Sequence, residues 1–113
     1  MINNYGKPHI RIYYNKSIKA AEYAGYGIEE EGIPYELLPD NNPESCALAY
    51  AAESSLGIAL SIEGGRISVF TNKYKNKEAF IFCESHNPDM IRIMGKNAAR
   101  IVKNIPLLPL ENV

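Results

Sequence analysis

The chain has 113 residues, enough for one domain around one core and too few for two. Hydrophobic residues make up 46% and charged residues 22%, as in an ordinary globular protein, and the net charge of −1 leaves no basic footprint for nucleic acid or an anionic membrane. Met1-Ile2-Asn3-Asn4-Tyr5-Gly6-Lys7-Pro8 has no apolar leader core, and no apolar run approaches the roughly 20 residues that span a bilayer, so a cytoplasmic protein with no membrane or nucleic-acid partner is expected.

Ile10-Arg11-Ile12-Tyr13-Tyr14 is β-branched and aromatic and predicts the first strand. Asn15 to Ser17 offers capping side chains for a helix over Ser17 to Glu31. Ile18, Ala21, Gly25 and Ile28 recur at helical steps and mark its inner face. The same geometry lines up Tyr23, Tyr26 and Glu30 on the other side, where aromatics either mark an interface or simply sit on a surface that tyrosine tolerates. Ile33 to Leu38 predicts a second strand, and Pro39-Asp40-Asn41-Asn42-Pro43 a turn. Glu44 to Ser54 reads as an alanine-rich helix with Cys46, Leu48, Ala49 and Ala52 inward.

Ile58 to Ile62 is apolar on both faces, which predicts a central strand. Glu63-Gly64-Gly65-Arg66 is a tight turn into a hairpin partner over Ile67 to Thr71. A polar loop over Asn72 to Glu78 leads to a buried strand over Ala79 to Cys83. Ser85 to Met94 is open between helix and strand: Pro88 suits a first helical position, whereas Ile91 and Ile93 alternate. Gly95 to Asn104 predicts a helix with Ala98, Ile101 and Val102 inward, followed by an extended arm or a loose tail. Cys46 and Cys83 lie far apart in apolar segments and read as buried free thiols. The alternation of elements predicts a single α/β domain over residues 1–113, with a mostly parallel sheet of four to five strands and helices on both faces.

The stretch Gly27-Ile28-Glu29-Glu30-Glu31-Gly32-Ile33-Pro34 stands out. Gly32 can end a helix in the left-handed conformation and Pro34 cannot continue it. Three carboxylates at a helix C-terminus oppose the helix dipole, at a cost of about 0.3–1 kcal/mol each when exposed. They form either a solvated acidic turn or a site for a compensating cation, a metal or a partner's basic residue. Elsewhere the signals of chemistry are missing. The first strand is followed by Asn15-Lys16-Ser17, with neither a dinucleotide fingerprint nor a phosphate loop. His9 and His86 are single, and no serine sits in a nucleophile elbow. Mg²⁺ needs octahedral oxygen ligands, so one acidic turn could hold it only with ligands from another chain. That favours a partner-binding module over an enzyme.

The acidic turn, together with Gly95-Lys96-Asn97-Ala98-Ala99-Arg100-Ile101-Val102-Lys103, resembles the small subunit of diol and glycerol dehydratase reactivating factors. The resemblance runs from the first strand to about Pro106, and is looser through Ala47 to Phe82. A close structural relative is the medium (beta) subunit of the adenosylcobalamin-dependent dehydratase itself, a longer chain with terminal extensions, which stands as the alternative. The resemblance implies a non-catalytic subunit whose partner is a large ATPase subunit, in a heterotetramer that releases damaged cobalamin by swapping this subunit with the dehydratase's own and so engages the dehydratase large subunit. It implies ATP or ADP bound by the large subunit, and Mg²⁺ at the subunit interface reached by Glu30. Nothing is implied to be bound by this chain alone. Tyr23, Tyr26, Glu29, Glu30 and Glu31 become the interface candidates, and the cytoplasm, with a bacterial microcompartment as one setting, the location.

Overall fold

The computed structural model describes residues 8–73 and 78–110. Most of the loop predicted over Asn72 to Glu78, the first seven residues and the last three lie outside that range. Five strands and three helices follow in the order β1 (Ile10–Tyr14), α1 (Ile18–Glu30), β2 (Tyr35–Pro39), α2 (Pro43–Glu53), β3 (Ile58–Glu63), β4 (Arg66–Thr71), β5 (Ile81–Glu84) and α3 (Pro88–Lys103). They form one sheet in the order β2-β1-β3-β4-β5.

The expected mostly parallel sheet is corrected to a mixed one. β2, β1 and β3 run parallel, with Ile12 beside Leu37 and Leu60. β3-β4 and β4-β5 are antiparallel, with Leu60 beside Val69 and Ser68 beside Phe82. The cause is the glycine turn after β3, which admits only a hairpin, and β5 then returns along β4. β3 is the middle strand, as its two apolar faces require.

Period-two alternation sends alternate residues of each strand to opposite sides of the sheet. Ile10, Ile12, Ile58, Leu60, Ile62, Ile67 and Val69 face α1 and α3 and form the larger core with Ala24, Ile28, Ile91, Met94 and Ala98. Tyr13, Ala59 and Phe70 face α2 and pack on Ala47 and Ala51. Of the expected inward residues of α2, Cys46 and Leu48 are half-buried and pack against this smaller core, whereas Ala49 and Ala52 are exposed and Ala47 and Ala51 take the buried positions. On α1, Ala21, Gly25 and Ile28 are buried as predicted, but Ile18 at the open first turn is exposed.

β5 is an edge strand with alternating half-buried and exposed residues, not a buried one. The open segment resolves as helix. Asn87 caps α3 through Oδ1, which accepts from the Asp89 N–H at 2.8 Å, and Pro88 takes the first position. The tail is held as an arm across α3: buried Asn97 donates from Nδ2 to the Leu108 carbonyl at 3.0 Å and accepts from the Leu108 N–H at 2.7 Å. Cys46 and Cys83 are free thiols, each half-buried. Among the described residues no helix is long and apolar enough to cross a membrane.

Candidate functional site

The acidic turn closes α1 with two hydrogen bonds that together cap its carbonyls. The Ile33 N–H donates to the Ile28 carbonyl at 3.3 Å and the Gly32 N–H to the Glu29 carbonyl at 2.9 Å. This is a Schellman closure, and it needs a residue at positive φ between them; Gly32 sits at φ 81°. Ile33 then packs against the larger core, which fixes the direction in which the chain leaves the helix.

α3 crosses α1 beside this turn at backbone contact. A Cβ on Gly27 would lie 2.0 Å from the Arg92 carbonyl oxygen, and one on Gly95 would lie 2.0 Å from that of Ala24. Only two glycines permit that approach. It brings four cations of α3, Arg92, Lys96, Arg100 and Lys103, onto the end of α1. Their steps of four, four and three residues put them on one face of the helix.

The three glutamates separate at once. Glu31 turns inward and its side chain is 9% exposed. Its Oε1 accepts from Lys103 Nζ at 3.0 Å and its Oε2 from Arg100 Nε at 3.2 Å, with Lys96 Nζ 3.7 Å away. Lys103 also donates to the Glu31 backbone carbonyl at 2.9 Å, which places a cation at the negative end of α1. The hydrogen bond from Lys103, then that from Arg100, hold the Glu31 carboxyl below the ordinary glutamate range against the opposing effect of burial. Glu30 turns outward, with 44% of its side chain exposed. Lys96 Nζ and Arg92 Nε approach it at 3.4 and 3.7 Å, both on Oε1. Glu29 is exposed and makes no ion pair among the described residues.

The compensating cation expected from a metal or a partner is thus supplied, for Glu30 and Glu31, by this chain's own α3. Sequence reasoning assigned none of Arg92, Lys96, Arg100 and Lys103 to the acidic turn. The helical spacing of Lys96, Arg100 and Lys103 lay within the predicted helix and was the available signal; only Arg92 needs α3 to begin at Pro88. Of the tyrosines, Tyr26 is exposed, whereas Tyr23 is half-buried and packs against the larger core, with the two rings edge to face at 6.4 Å.

Mg²⁺ takes six oxygen ligands in near-octahedral geometry. The turn presents two exposed carboxylates, Glu29 and Glu30, and one oxygen of Glu30 is already drawn to lysine and arginine. Among the described residues no group of three His, Cys, Asp or Glu side chains could hold a metal. The residues therefore fit a metal site only as donors of one or two carboxylate ligands to an ion held mainly elsewhere.

The family described as "Dehydratase medium subunit" matches residues 7–108, and the chain belongs to it. A relative in Klebsiella michiganensis, the diol dehydratase-reactivating factor small subunit, is 37% identical over 90 residues, covering 76% of this chain and 71% of the relative. A solved structure of diol dehydratase-reactivating factor complexed with ADP and Mg²⁺ contains a chain that superposes with a TM-score of 0.80 at 26% identity, covering 92% of this chain and 100% of that one. A glycerol dehydratase reactivase chain superposes equally well, at 0.80 over 92% and 99%, but at 20% identity it attests the fold alone.

Proposed function

We propose that this chain is the non-catalytic small subunit of a dehydratase-reactivating factor. In this reading it binds a large subunit that carries the ATPase and its nucleotide. The complex frees damaged cobalamin from an inactivated diol or glycerol dehydratase by exchanging this subunit with the dehydratase's own and engaging the dehydratase large subunit. The observation that carries it is the whole-length match, at 0.80 and 26% identity, to a chain of a reactivating factor that holds ADP and Mg²⁺. The acidic turn gives the reading a chemical form. Glu30 supplies one carboxylate oxygen to a Mg²⁺ held mainly by the large subunit, with Glu29 and Tyr26 exposed beside it as contact residues. Bound there, the metal would supply charge neutralisation at the nucleotide. This chain's part is to hold the carboxylate at a rigid helix end. Glu31 supports that end from behind through its bonds to Arg100 and Lys103, and the half-buried Tyr23 lies about two turns back along α1.

The medium subunit of the dehydratase itself is a second reading, favoured by the description of the matching family. Co-expression with the large subunit of a reactivating factor, followed by size-exclusion chromatography with Mg²⁺ and ADP, separates the two. A single species of heterotetramer mass supports the reactivase reading. Separate elution, with co-elution on dehydratase large and small subunits, overturns it in favour of the medium subunit.

A further inference from the structure

The two edges of the sheet are built differently. β2 ends in Pro39, and its Glu36 is held by His9 at 2.9 Å and Arg11 at 3.3 Å. Proline and charge on an edge are ordinary defences against unwanted pairing. β5 has no proline and a single charged residue, Glu84 at its end, and among the described residues it pairs with β4 alone. Its Phe82 is 51% exposed, the most exposed large apolar side chain among the described residues.

Beside that edge, on the α2 side of the sheet, lies a cleft of about 400 Å³. Leu48, Phe70 and Phe82 give it an apolar floor, Glu44 stands on its α2 wall, and Arg66 lies stacked on Phe82 with the guanidinium carbon 4.0 Å from the ring centroid. Glu84 shares the face of Phe82, two residues on. Glu44 and Glu84 are exposed and make no ion pair among the described residues. On the opposite face, Ile81 and Cys83 extend the larger apolar core to the edge.

A strand added to β5 would place alternate residues on these two faces. Those beside Ile81 and Cys83 continue an apolar surface. Those beside Phe82 meet an apolar floor. Among the described residues, three carboxylates, Glu44, Glu78 and Glu84, stand around it against one cation, Arg66, already stacked on the ring. That suits the aliphatic stem and charged head of a further lysine or arginine. We propose that the outer edge of β5 is a docking edge for an extended partner segment in which apolar and basic residues alternate. The Phe82 face of this edge lies on the opposite side of the sheet from α1 and its acidic turn, and the proposal stands independently of the role assigned to that turn.

The test uses the full chain and three blocked octapeptides: alternating valine and lysine, alternating valine and glutamate, and the first with every backbone amide N-methylated. Backbone amide shifts of the ¹⁵N-labelled protein are followed by NMR. The expected result is that the valine–lysine peptide shifts Ile81 to Glu84 together with Leu48 and Phe70, and binds at least tenfold tighter than the glutamate peptide. N-methylation should abolish binding, because the strand can no longer hydrogen-bond to the edge. Phe82→Ser should weaken binding at least fivefold, and Glu44→Lys should narrow the preference for lysine over glutamate at least threefold. Shifts centred on the acidic turn, equal binding of both peptides, survival of binding after N-methylation, or no binding at millimolar peptide would each overturn the proposal.

Discussion

Glu31→Gln should destabilise the isolated chain by removing the charge at the centre of the α1–α3 clamp while keeping its shape. The carboxylate is 9% exposed and accepts from Lys103 at 3.0 Å and Arg100 at 3.2 Å. Hydrogen bonds to charged groups are worth about 1.5–3 kcal/mol against about 0.2–1 kcal/mol for exposed ion pairs. Glutamine retains one acceptor, so a loss of about 1.5–2 kcal/mol follows. With an unfolding entropy of ~2.1 cal/mol/K per residue, that lowers Tm by about 6–8 °C. The pH dependence has a definite sign. The folded carboxyl titrates below the ordinary value of 4.5, so the unfolded chain binds the proton more readily. The stabilisation is fully present above the unfolded pKa and is lost as pH falls through the folded one. Calorimetry of both proteins at pH 7 and at successively lower pH checks this: the gap in Tm should close in acid. Equal Tm at pH 7, or a gap that persists unchanged in acid, would refute the clamp.

Gly95→Ala should cost about 1–3 kcal/mol or more as overpacking, because its Cβ meets the Ala24 carbonyl oxygen at 2.0 Å; urea unfolding with unchanged m reads it. Asn97→Ala leaves the Leu108 N–H and carbonyl without their partner and should cost about 1–3 kcal/mol, with faster hydrogen exchange at the Leu108 amide as the local signature. Glu30→Ala should change the lone chain's stability by no more than about 1 kcal/mol, since its ion pairs are nearly half exposed, while weakening the Mg²⁺–ADP-dependent complex with the large subunit. Equal affinity of mutant and native chain for that complex, measured by calorimetry, argues against the metal role.

How legible each feature was depends on whether local pattern or tertiary context decided it. β3 was legible because Ile58 to Ile62 is apolar at every position but Ser61, which only a central strand tolerates. The end of α1 was legible because the Gly32-Ile33-Pro34 punctuation is purely local. α2 misled because apolar residues surround it: a helix with small apolar side chains on several sides has no preferred face until Tyr13, Ala59 and Phe70 choose one. β5 misled because Ile81-Phe82-Cys83 has a core composition, and only the strand order reveals that nothing lies beyond it among the described residues. The α3 stripe was hidden by the Ile91 and Ile93 alternation, which obscured the helical steps Ile91, Met94, Ala98 and Ile101.

Adjacent helical residues differ by roughly 100° around the axis, so Glu30 and Glu31 cannot serve the same neighbour equally. One faces outward and one inward, and Lys96 stands between them, 3.4 Å from Glu30 and 3.7 Å from Glu31. Distance alone favours the pair with Glu30. Burial favours the pair with Glu31, whose side chain is 9% exposed against 44%, because water screens the outer pair far more. Screening should dominate at a difference of only a few tenths of an ångström. Double-mutant cycles with Lys96→Met decide it: coupling of Lys96 to Glu31 should exceed its coupling to Glu30, which as an exposed pair is worth only about 0.2–1 kcal/mol. Glu30 can then be drawn away by a partner without loosening the clamp, since Lys96 keeps its stronger companion. A larger coupling to Glu30 than to Glu31 would mean that the outward carboxylate is part of the structural clamp and is costly to redirect.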